Sequence, residues 1–345
     1  MNRTTIAVDL AKSVFQLSVA DGDWRVQSRH RLTRAQLVRF FGERQPCEVV
    51  MEACGSAHFW GRWLCSLGFT VRLLPPQYVR AYVRRNKTDR ADADALLDAA
   101  RREDMAPVPI KSEQQQAIAS LHRLRSAWMA TRTARINAIR GILRELGVNL
   151  PLGARKVPAT VLARLAEPAS SVPASLQPAL VTACAEIREL EQRIVETERQ
   201  LARLAAELHV AARLLSIPGI GLLTATALVA AVGEISRFPS ARHFASWLGL
   251  TPSESSSGTK RRLGGISKQG DRYLRTLLIH GGRAVLAAAH RYKEVDHLRG
   301  WALAVERQRG RNRAAVALAN RLARIAWAVW RHDRDFESRP LQRAA

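Results

Sequence analysis

Cysteines are few in this chain, and none of them is arranged as a metal-binding or disulfide framework. The four present are Cys47, Cys54, Cys65 and Cys184, without a CxxC pair or a histidine at zinc-ligand spacing. This pattern excludes a zinc finger and a disulfide-rich secreted module, because both need closely spaced ligands or cysteines. We therefore expect reduced thiols in a cytoplasmic protein.

Long apolar runs and a secretory leader are also missing. The sequence contains no stretch of about 18 apolar residues, the length that a helix needs to cross a bilayer, and it enters a strand pattern at Thr4 without a basic leader. We expect the protein to be neither secreted nor membrane-spanning. Its 47% hydrophobic residues suffice for ordinary cores, and 345 residues are enough for two or three domains.

Acidic residues are scarce relative to basic ones. The 30 aspartates and glutamates face 54 lysines and arginines, which gives a net charge of +24. Only seven of those basic residues are lysines, and the planar guanidinium fork of arginine suits phosphates and guanine edges. Codon usage in a GC-rich genome explains the preference for arginine equally well. It does not explain the excess of positive charge, which indicates a polyanionic partner such as nucleic acid.

The first part of the sequence is typical of a mixed α/β fold. Strand patterns at 4–9, 14–19 and 24–30 predict a three-stranded meander. The β-α-β pattern that follows, up to a strand at 69–74, adds further strands to the same sheet. A long helix with a basic flank is then predicted over 112–146.

The second part has a mainly helical pattern. Five prolines between 150 and 178 indicate a linker or an irregular subdomain. A heptad seam runs from Ile187 to Leu208, which predicts a coiled coil, and packing of an amphipathic helix within one chain is the alternative. The remainder, 211–330, has a wholly helical pattern. We thus predict domains at 1–150, 151–212 and 213–345.

Four carboxylates occupy positions from which they can share one site. Asp9 and Glu52 each end an apolar strand, where an ionised group must be solvated, hydrogen-bonded or coordinated. Asp89 and Asp92 lie three residues apart on one helix face, whereas Asp94 points about 140° away from Asp89. Such a set of oxygen ligands suits Mg²⁺. Each acid taken alone is explained at least as well by a solvated helix face or a cap.

Serines and cations are concentrated in one polar stretch, TPSESSSGTKRRLGGISKQGDRYLR at 251–275. A serine in such a loop is a candidate nucleophile for a phosphodiester, because the neighbouring positive charges stabilise both an alkoxide and a phosphorane. A flexible loop that contacts phosphates without chemistry is the alternative. The predicted nucleic-acid contacts are Lys87, Lys260, Arg261, Arg262, Lys268 and Arg272.

The segment SIPGIG at 216–221 is a second candidate for phosphate binding. It resembles the turn of a helix-hairpin-helix, in which backbone amides at a helix N-terminus bind phosphate. A glycine turn that only packs two helices explains the same residues equally well.

Five motifs occur in an order and at distances that are similar to one known family. They are AVDLAK at 7–12, MEACG at 51–55, NKTDRADADAL at 86–96, SIPGIGLLTATAL at 216–228 and WLGLTPSESSSGTKRRLGGISKQGDRYLRTLL at 247–278. Together they resemble the DEDD-type insertion-sequence transposases related to the Piv DNA invertase. The resemblance covers nearly the whole chain.

The resemblance implies a fold of the α/β plus α class. In this family an RNase H-like (RuvC-like) mixed sheet is joined through a coiled coil to an all-helical C-terminal transposase domain. It places the acidic tetrad on Asp9, Glu52, Asp89 and Asp92, with Mg²⁺ as the cofactor. The catalytic serine is the one before the glycine, Ser257, and a shift within the loop would move the assignment to Ser256 or Ser255.

The expected function is DNA transposition or site-specific recombination through a covalent phosphoserine. Better-understood relatives are guided by a structured bridge RNA, so RNA is an expected partner besides donor and target DNA. Strand exchange between two duplexes needs four cleavages, which predicts a tetramer built as a dimer of dimers. The alternative is a metal-dependent hydrolytic nuclease that resembles a Holliday-junction resolvase. A binding protein without chemistry would need neither the serine nor the carboxylates.

Overall fold

The structure is a computed structural model that describes residues 4–82, 89–102, 105–168, 170–292 and 296–338, with the side chains of 89–91 outside the description. The chain divides into two compact units. One unit comprises 1–114 with 232–234, and the other comprises 115–231 with 235–345.

A five-stranded mixed sheet forms the centre of the first unit. Its strands are β1 (Thr5–Asp9), β2 (Val14–Ala20), β3 (Val26–Thr33), β4 (Glu48–Glu52) and β5 (Thr70–Leu74), in the order β3-β2-β1-β4-β5. The pairs β1·β2 and β2·β3 are antiparallel, whereas β1·β4 and β4·β5 are parallel. The predicted meander followed by β-α-β units is confirmed.

Helices cover both faces of this sheet. They are α1 (Arg34–Gly42), α2 (Ala57–Ser66), α3 (Pro76–Val79) and α4 (Asp89–Ala100). On one face Phe15, Phe41 and Trp60 form the core with α1 and α2. On the other face α4 places Leu96 in a cluster with Ala7 and Val50. Because β1 and β4 are buried on both sides, they consist of nearly unbroken apolar residues rather than an alternating pattern.

Two long helices begin the second unit. They are α5 (Glu113–Glu145) and α7 (Gln177–Ala206), with the short α6 (Val157–Leu165) between them. Cross-helix ion pairs join residues late in one helix to residues early in the other, so α5 and α7 run antiparallel. These pairs are Arg125 with Glu198, Arg132 with Glu191, and Arg135 with Glu186.

Most of the heptad seam, from Ile187 to Leu201 of α7, is buried within the chain. Ile187 clusters with Ile136 and Ile139 of α5, and Leu201 clusters with Ile118 of the same helix. The seam therefore serves intramolecular packing, which the sequence left as the alternative to a coiled coil between copies. An association of copies has to use another surface, because side chains already buried in one core are not available to a second chain.

The rest of the second unit is largely helical. Its helices are α8 (His209–Leu215), α9 (Leu222–Val232), α10 (Ala241–Trp247), α11 (Arg272–Ala289), α12 (His297–Arg309) and α13 (Arg311–Arg331). The prediction of an all-helical domain is wrong in one place, because β6 (Pro252–Glu254) and β7 (Leu263–Ile266) form an antiparallel hairpin. Both strands are mostly exposed, so they lack the alternating apolar pattern that marks a strand in sequence.

The SIPGIG segment forms the turn between α8 and α9. Gly219 has φ +87°, and a Cβ there would lie 2.6 Å from the Val285 side chain and 2.8 Å from the Gly281 carbonyl oxygen of α11. Only glycine permits this approach. The turn thus packs against α11, as the simpler interpretation of the motif predicts. Across the described ranges, no helix has the length and apolar content needed to span a membrane.

Candidate functional site

Asp9 and Glu52 lie side by side at the carboxyl ends of two adjacent strands. β1 and β4 are parallel, and Val8 is paired with Met51. The next residue in each strand is therefore Asp9 in one and Glu52 in the other, and both are half-buried. Carboxyl ends of neighbouring parallel strands form the usual ligand-binding edge of an open α/β sheet.

The Cys54 thiol lies close to both carboxylates. Burial raises the pKa of Cys54 most, and the negative charges of Glu52 and Asp9 raise it further. A single thiol that is affected by both groups places them within one electrostatic neighbourhood. The structure thus brings together the two strand-end acids that the sequence predicted.

Asp92 lies on the side of α4 that faces the sheet. It precedes the buried Leu96 by four residues, so the two share one helix face. Its Oδ1 atom is buried, and no described residue offers it a hydrogen bond. By contrast, Asp94 accepts a hydrogen bond from Ser18 Oγ at 2.7 Å and forms an ion pair with Arg29. Asp94 is therefore a structural residue, and Asp92 keeps an uncompensated buried oxygen.

These carboxylates fit a hard divalent cation by their chemistry. An orphaned carboxylate oxygen at Asp92 and two strand-end carboxylates are the donors that Mg²⁺ prefers. The described residues contain no group of three histidines, cysteines or acids that is already close enough to hold a metal. The fourth predicted ligand, Asp89, begins α4, but its side chain lies outside the described part of the chain.

The candidate serines lie on the hairpin between β6 and β7. The Ser255 N–H donates to the Arg262 carbonyl, and Ser257 and Lys260 are bridged by two backbone hydrogen bonds of 3.3 and 3.1 Å. Gly258 and Thr259 therefore form a two-residue turn, for which the positive φ of Gly258 (+55°) is needed. The serine before the glycine stands at the last paired position before the tip.

Ser256 and Ser257 have different surroundings. The Ser256 hydroxyl donates to Glu254 Oε1 at 2.7 Å and accepts from the Arg262 N–H at 3.2 Å. The hydrogen bond from Ser256, followed by the charge of Arg261, lowers the pKa of Glu254. The Ser257 hydroxyl forms no hydrogen bond with the described residues and is exposed. Ser256 is thus engaged in holding the hairpin, whereas Ser257 is accessible.

The predicted cationic residues surround this hairpin. All five that the structure describes are exposed, and Arg261 also pairs with Glu254 at 3.3 Å. Exposed guanidinium and ammonium groups beside an accessible hydroxyl suit a phosphate backbone. The five are Lys260, Arg261, Arg262, Lys268 and Arg272, while the sixth, Lys87, lies outside the described residues.

The hairpin is fixed at its root by a residue that the sequence analysis did not single out for this role. Arg275 Nη1 donates to the carbonyl oxygens of Leu248 at 3.1 Å and Gln269 at 3.0 Å, so one side chain holds both ends of the hairpin. A Cβ at Gly249 would lie 1.9 Å from the Gln269 carbonyl, and one at Gly270 2.0 Å from that of Trp247. The glycines in LGL at 248–250 and QGD at 269–271 are the sequence signal that could have indicated this close contact at the root of the hairpin.

A buried histidine network also escaped the sequence analysis. The His122 ring lies between two hydroxyl groups. Its Nε2 lies 3.0 Å from Thr226 Oγ1, and its Nδ1 lies 3.0 Å from the Tyr273 hydroxyl. Burial, and secondarily the charge of Arg125, lowers the pKa of His122 to about 4. Both partners are distant from His122 along the chain, so no local motif announces them.

Comparisons with known proteins match two stretches of the chain to transposase families. Residues 211–297 match the family described as "Transposase IS116/IS110/IS902 family", and residues 6–148 match a DEDD transposase domain of the IS110 type. A probable family 20 transposase of Pseudomonas aeruginosa is 44% identical over 95% of this chain and 97% of its own length. The transposase for insertion sequence element IS1111A of Coxiella burnetii is 40% identical over 94% of this chain and 88% of its own.

A more distant relative has a related but different name. The pilin gene-inverting protein of Moraxella bovis is 26% identical over 98% of this chain and 99% of its own length. The similarity thus runs through both units of the chain, including the segments with the strand-end acids and the serine hairpin.

Proposed function

This chain belongs to the IS116/IS110/IS902 family of transposases, and from that premise we propose that it cuts and rejoins DNA through a covalent bond to Ser257. Membership makes it a DNA recombinase that acts on DNA substrates, and its DEDD domain implies dependence on a divalent metal. The identity of the nucleophile, the identity of the metal ion, the use of a guide RNA and the oligomeric state go beyond family membership and belong to the proposal.

The accessible hydroxyl of Ser257 is the observation that carries the proposal. It is exposed at the last paired position of a two-residue hairpin turn, with no hydrogen bond to the described residues. Ser256, the nearest competitor, already donates to Glu254 and accepts from the Arg262 N–H. A nucleophile has to present a lone pair to phosphorus, so a hydroxyl committed on both sides is a poor candidate.

The reaction conserves the phosphodiester bonds. The Ser257 oxygen attacks phosphorus and gives its proton to water, one bridging P–O bond of the DNA breaks, and the departing sugar oxygen takes up a proton. A deoxyribose hydroxyl of a second strand then attacks the phosphorus of the phosphoserine and gives its proton to water. A new P–O bond to that sugar forms, the Ser257 O–P bond breaks, and the departing Ser257 oxygen takes up a proton. Because the protein-bound ester keeps the energy of the broken bond, rejoining needs no external energy source.

The exposed cations of the hairpin stabilise the charge that builds up during this attack. Backbone hydrogen bonds tie Lys260 to Ser257 and the Arg262 N–H to the Ser256 hydroxyl, which keeps both basic residues next to Ser257. Positive charges beside the reacting phosphate stabilise the phosphorane more than the ground state.

We assign the divalent ion to the acidic residues of the sheet and propose that it is Mg²⁺. Asp9, Glu52 and Asp92 would hold it, with Asp89 as the fourth ligand that the sequence predicts. When bound there, Mg²⁺ neutralises negative charge on a phosphodiester. The residues themselves supply a preformed pair of strand-end carboxylates and a buried oxygen on α4 that lacks a partner among the described residues.

Metal-dependent hydrolysis is the second candidate function. The paired carboxylates of β1 and β4 favour it, because an acidic metal site alone suffices for a nuclease that resembles a junction resolvase. In that case water is the nucleophile, and Ser257 is a dispensable phosphate contact.

Denaturing electrophoresis of labelled DNA distinguishes the two reactions. Wild type, Ser257→Ala and Ser256→Ala are each incubated with a labelled fragment that contains the end of the element. We expect a protein-linked DNA band with wild type and Ser256→Ala, and none with Ser257→Ala. Undiminished cleavage by Ser257→Ala without a protein-linked band would favour hydrolysis instead, whereas a retained band would assign the nucleophile to Ser255.

The proposed partners are donor and target DNA and a structured bridge RNA. The net charge of +24 supports a polyanionic partner without specifying which one. A cognate RNA should copurify from cells that contain the element, and its absence after nuclease-protected isolation would favour direct readout of DNA by the protein.

We also propose a tetramer, built as a dimer of dimers, as the active assembly. Exchange between two duplexes needs four strand cleavages, and the contacts between copies would lie outside the α7 seam, which packs within the chain. A monomeric mass in the presence of nucleic acid would exclude it.

A further inference from the structure

A groove of about 1100 Å³ runs along α13 in the second unit. α12 contributes Trp301 to its lining, and the serine hairpin contributes Pro252 from β6 and Ile266 from β7. The groove and the hairpin that carries Ser257 therefore share a wall.

The groove combines an apolar floor with fixed aromatic rings. Val316 and Ile325 of α13 lie on its lining together with Trp301 and Trp327. The Trp327 indole N–H donates to the Phe238 carbonyl at 3.1 Å, which fixes the orientation of the ring. Rings that are held in place offer faces for stacking without a large loss of side-chain entropy.

The charged residues that line the groove are all cations. Arg313, Arg321 and Arg324 line it, and none of the described lining residues is acidic. The Arg321 guanidinium lies 4.6 Å from the centre of the Trp301 ring. Among the described residues the Arg321 guanidinium pairs with no carboxylate, and its Nη2 lies 3.1 Å from His297 Nδ1. Burial, and secondarily the charge of Arg324, lowers the pKa of Arg321.

We infer that this groove binds an unpaired DNA strand through stacking of its bases and contacts with its phosphates. Aromatic faces interleaved with cations are the usual means of holding single strands. The apolar floor favours DNA over RNA, because a ribose 2′-hydroxyl placed against it would lose hydrogen bonds to water without replacement.

The position of the groove relates the bound strand to the proposed reaction, and this part rests on the proposed function. Ser257 is five residues beyond Pro252, which is about 16 Å along a strand. Stacked nucleotides are about 3.4 Å apart along one strand. The strand in the groove then lies within roughly five nucleotides of the phosphodiester that Ser257 attacks, so it helps to select and hold the strand that is cut.

Binding of a fluorescein-labelled, single-stranded DNA of about 20 nucleotides and mixed sequence tests the inference by anisotropy. The double variant Arg313→Gln/Arg324→Gln removes two exposed cations of the groove, and Trp301→Leu removes one stacking face. The matched control Arg311→Gln/Arg331→Gln removes two exposed cations of the same helix that do not line the groove. We expect about tenfold weaker binding with each groove variant and less than threefold with the control.

The same sequence is also measured as duplex DNA and as RNA. The inference predicts that the groove variants weaken binding of both by no more than the control pair does. It is overturned if the control weakens single-stranded DNA equally, if RNA or duplex DNA is affected as strongly, or if groove variants change the mass of the protein without nucleic acid. Because the assay needs no cleavage, its outcome is separate from the formation of the Ser257 adduct.

Discussion

At the scale of single residues, Asp92 is expected to lower the stability of the metal-free fold, and binding of a metal ion would account for its presence. Its Oδ1 is buried without a hydrogen bond from the described residues, and such a group destabilises a fold unless a cation or donor compensates it. Asp94, two positions later, has both a serine donor and an arginine partner. The two neighbours therefore predict opposite effects of the same substitution.

We predict that Asp92→Asn raises the free energy of unfolding in EDTA by about 1 kcal/mol, because it replaces a carboxylate whose buried oxygen has no donor among the described residues with a neutral amide. Recombination should be abolished in the same variant. Asp94→Asn should lower stability, since it weakens the ion pair with Arg29. Urea unfolding in EDTA measures both. An Asp92→Asn protein that recombines at the wild-type rate would exclude this residue as a metal ligand.

His122 predicts a dependence of stability on pH. Its pKa in the folded protein is about 4, against an ordinary value of 6.5, so the folded state resists a proton that the unfolded state accepts. Above pH 6.5 the titration of His122 does not reduce the free energy of unfolding. Below pH 6.5 the unfolded state takes up the proton first, so the free energy of unfolding decreases, by up to about 3 kcal/mol near pH 4. Urea unfolding of wild type and His122→Gln between pH 7 and 4 measures it. Parallel curves for the two proteins would disprove the assignment.

At the scale of secondary-structure elements, the serine hairpin depends on its root. β6 and β7 are short and largely exposed, so their own packing contributes little. Arg275 compensates by bonding the carbonyls of Leu248 and Gln269, one on each side of the hairpin. Asn320 of α13 adds a hydrogen bond from its amide to the Leu250 carbonyl at 2.9 Å. The hairpin is thus anchored to α11 and α13.

We predict that Arg275→Ala loosens the hairpin while the helices remain folded. Amide hydrogen exchange within 249–270 should become faster, and the yield of the covalent adduct should fall about tenfold because the nucleophile is less well positioned. Arg283→Ala on the same helix is exposed and serves as the control. Unchanged exchange in Arg275→Ala would show that the root does not depend on this side chain.

At the scale of the whole molecule, the charge of +24 governs binding to nucleic acid. Each phosphate contact releases counterions, so affinity falls steeply with salt concentration. If six or more phosphates are contacted, we predict a loss of roughly a thousandfold in affinity for DNA between 50 and 200 mM salt. Filter binding over this range measures the slope. A nearly flat titration would contradict a phosphate-driven interface.

The sequence alone determined the strands of the mixed sheet, the strand-end positions of Asp9 and Glu52, and the polar loop that contains the serines. These features follow from local patterns, since apolar runs, turn residues and spacing along one strand or helix depend on neighbours in the chain. The structure then showed that these two strands are parallel neighbours, so that the two acids meet at one edge of the sheet.

Only the tertiary structure decided which helix the α7 seam packs against, that the hydroxyl of Ser256 rather than that of Ser257 is bound to Glu254, and what holds the hairpin. The α7 seam has the same pattern whether its partner is α5 or a second chain, and the choice depends on contacts between segments that are distant in the chain. Ser256 and Ser257 are neighbouring residues of the same type, so the sequence does not distinguish them. In the folded hairpin the Ser256 hydroxyl donates to Glu254, whereas Ser257 is held through its backbone and its hydroxyl is exposed. Arg275 and His122 act through partners that are separated from them in sequence, and only folding brings such groups within hydrogen-bond distance.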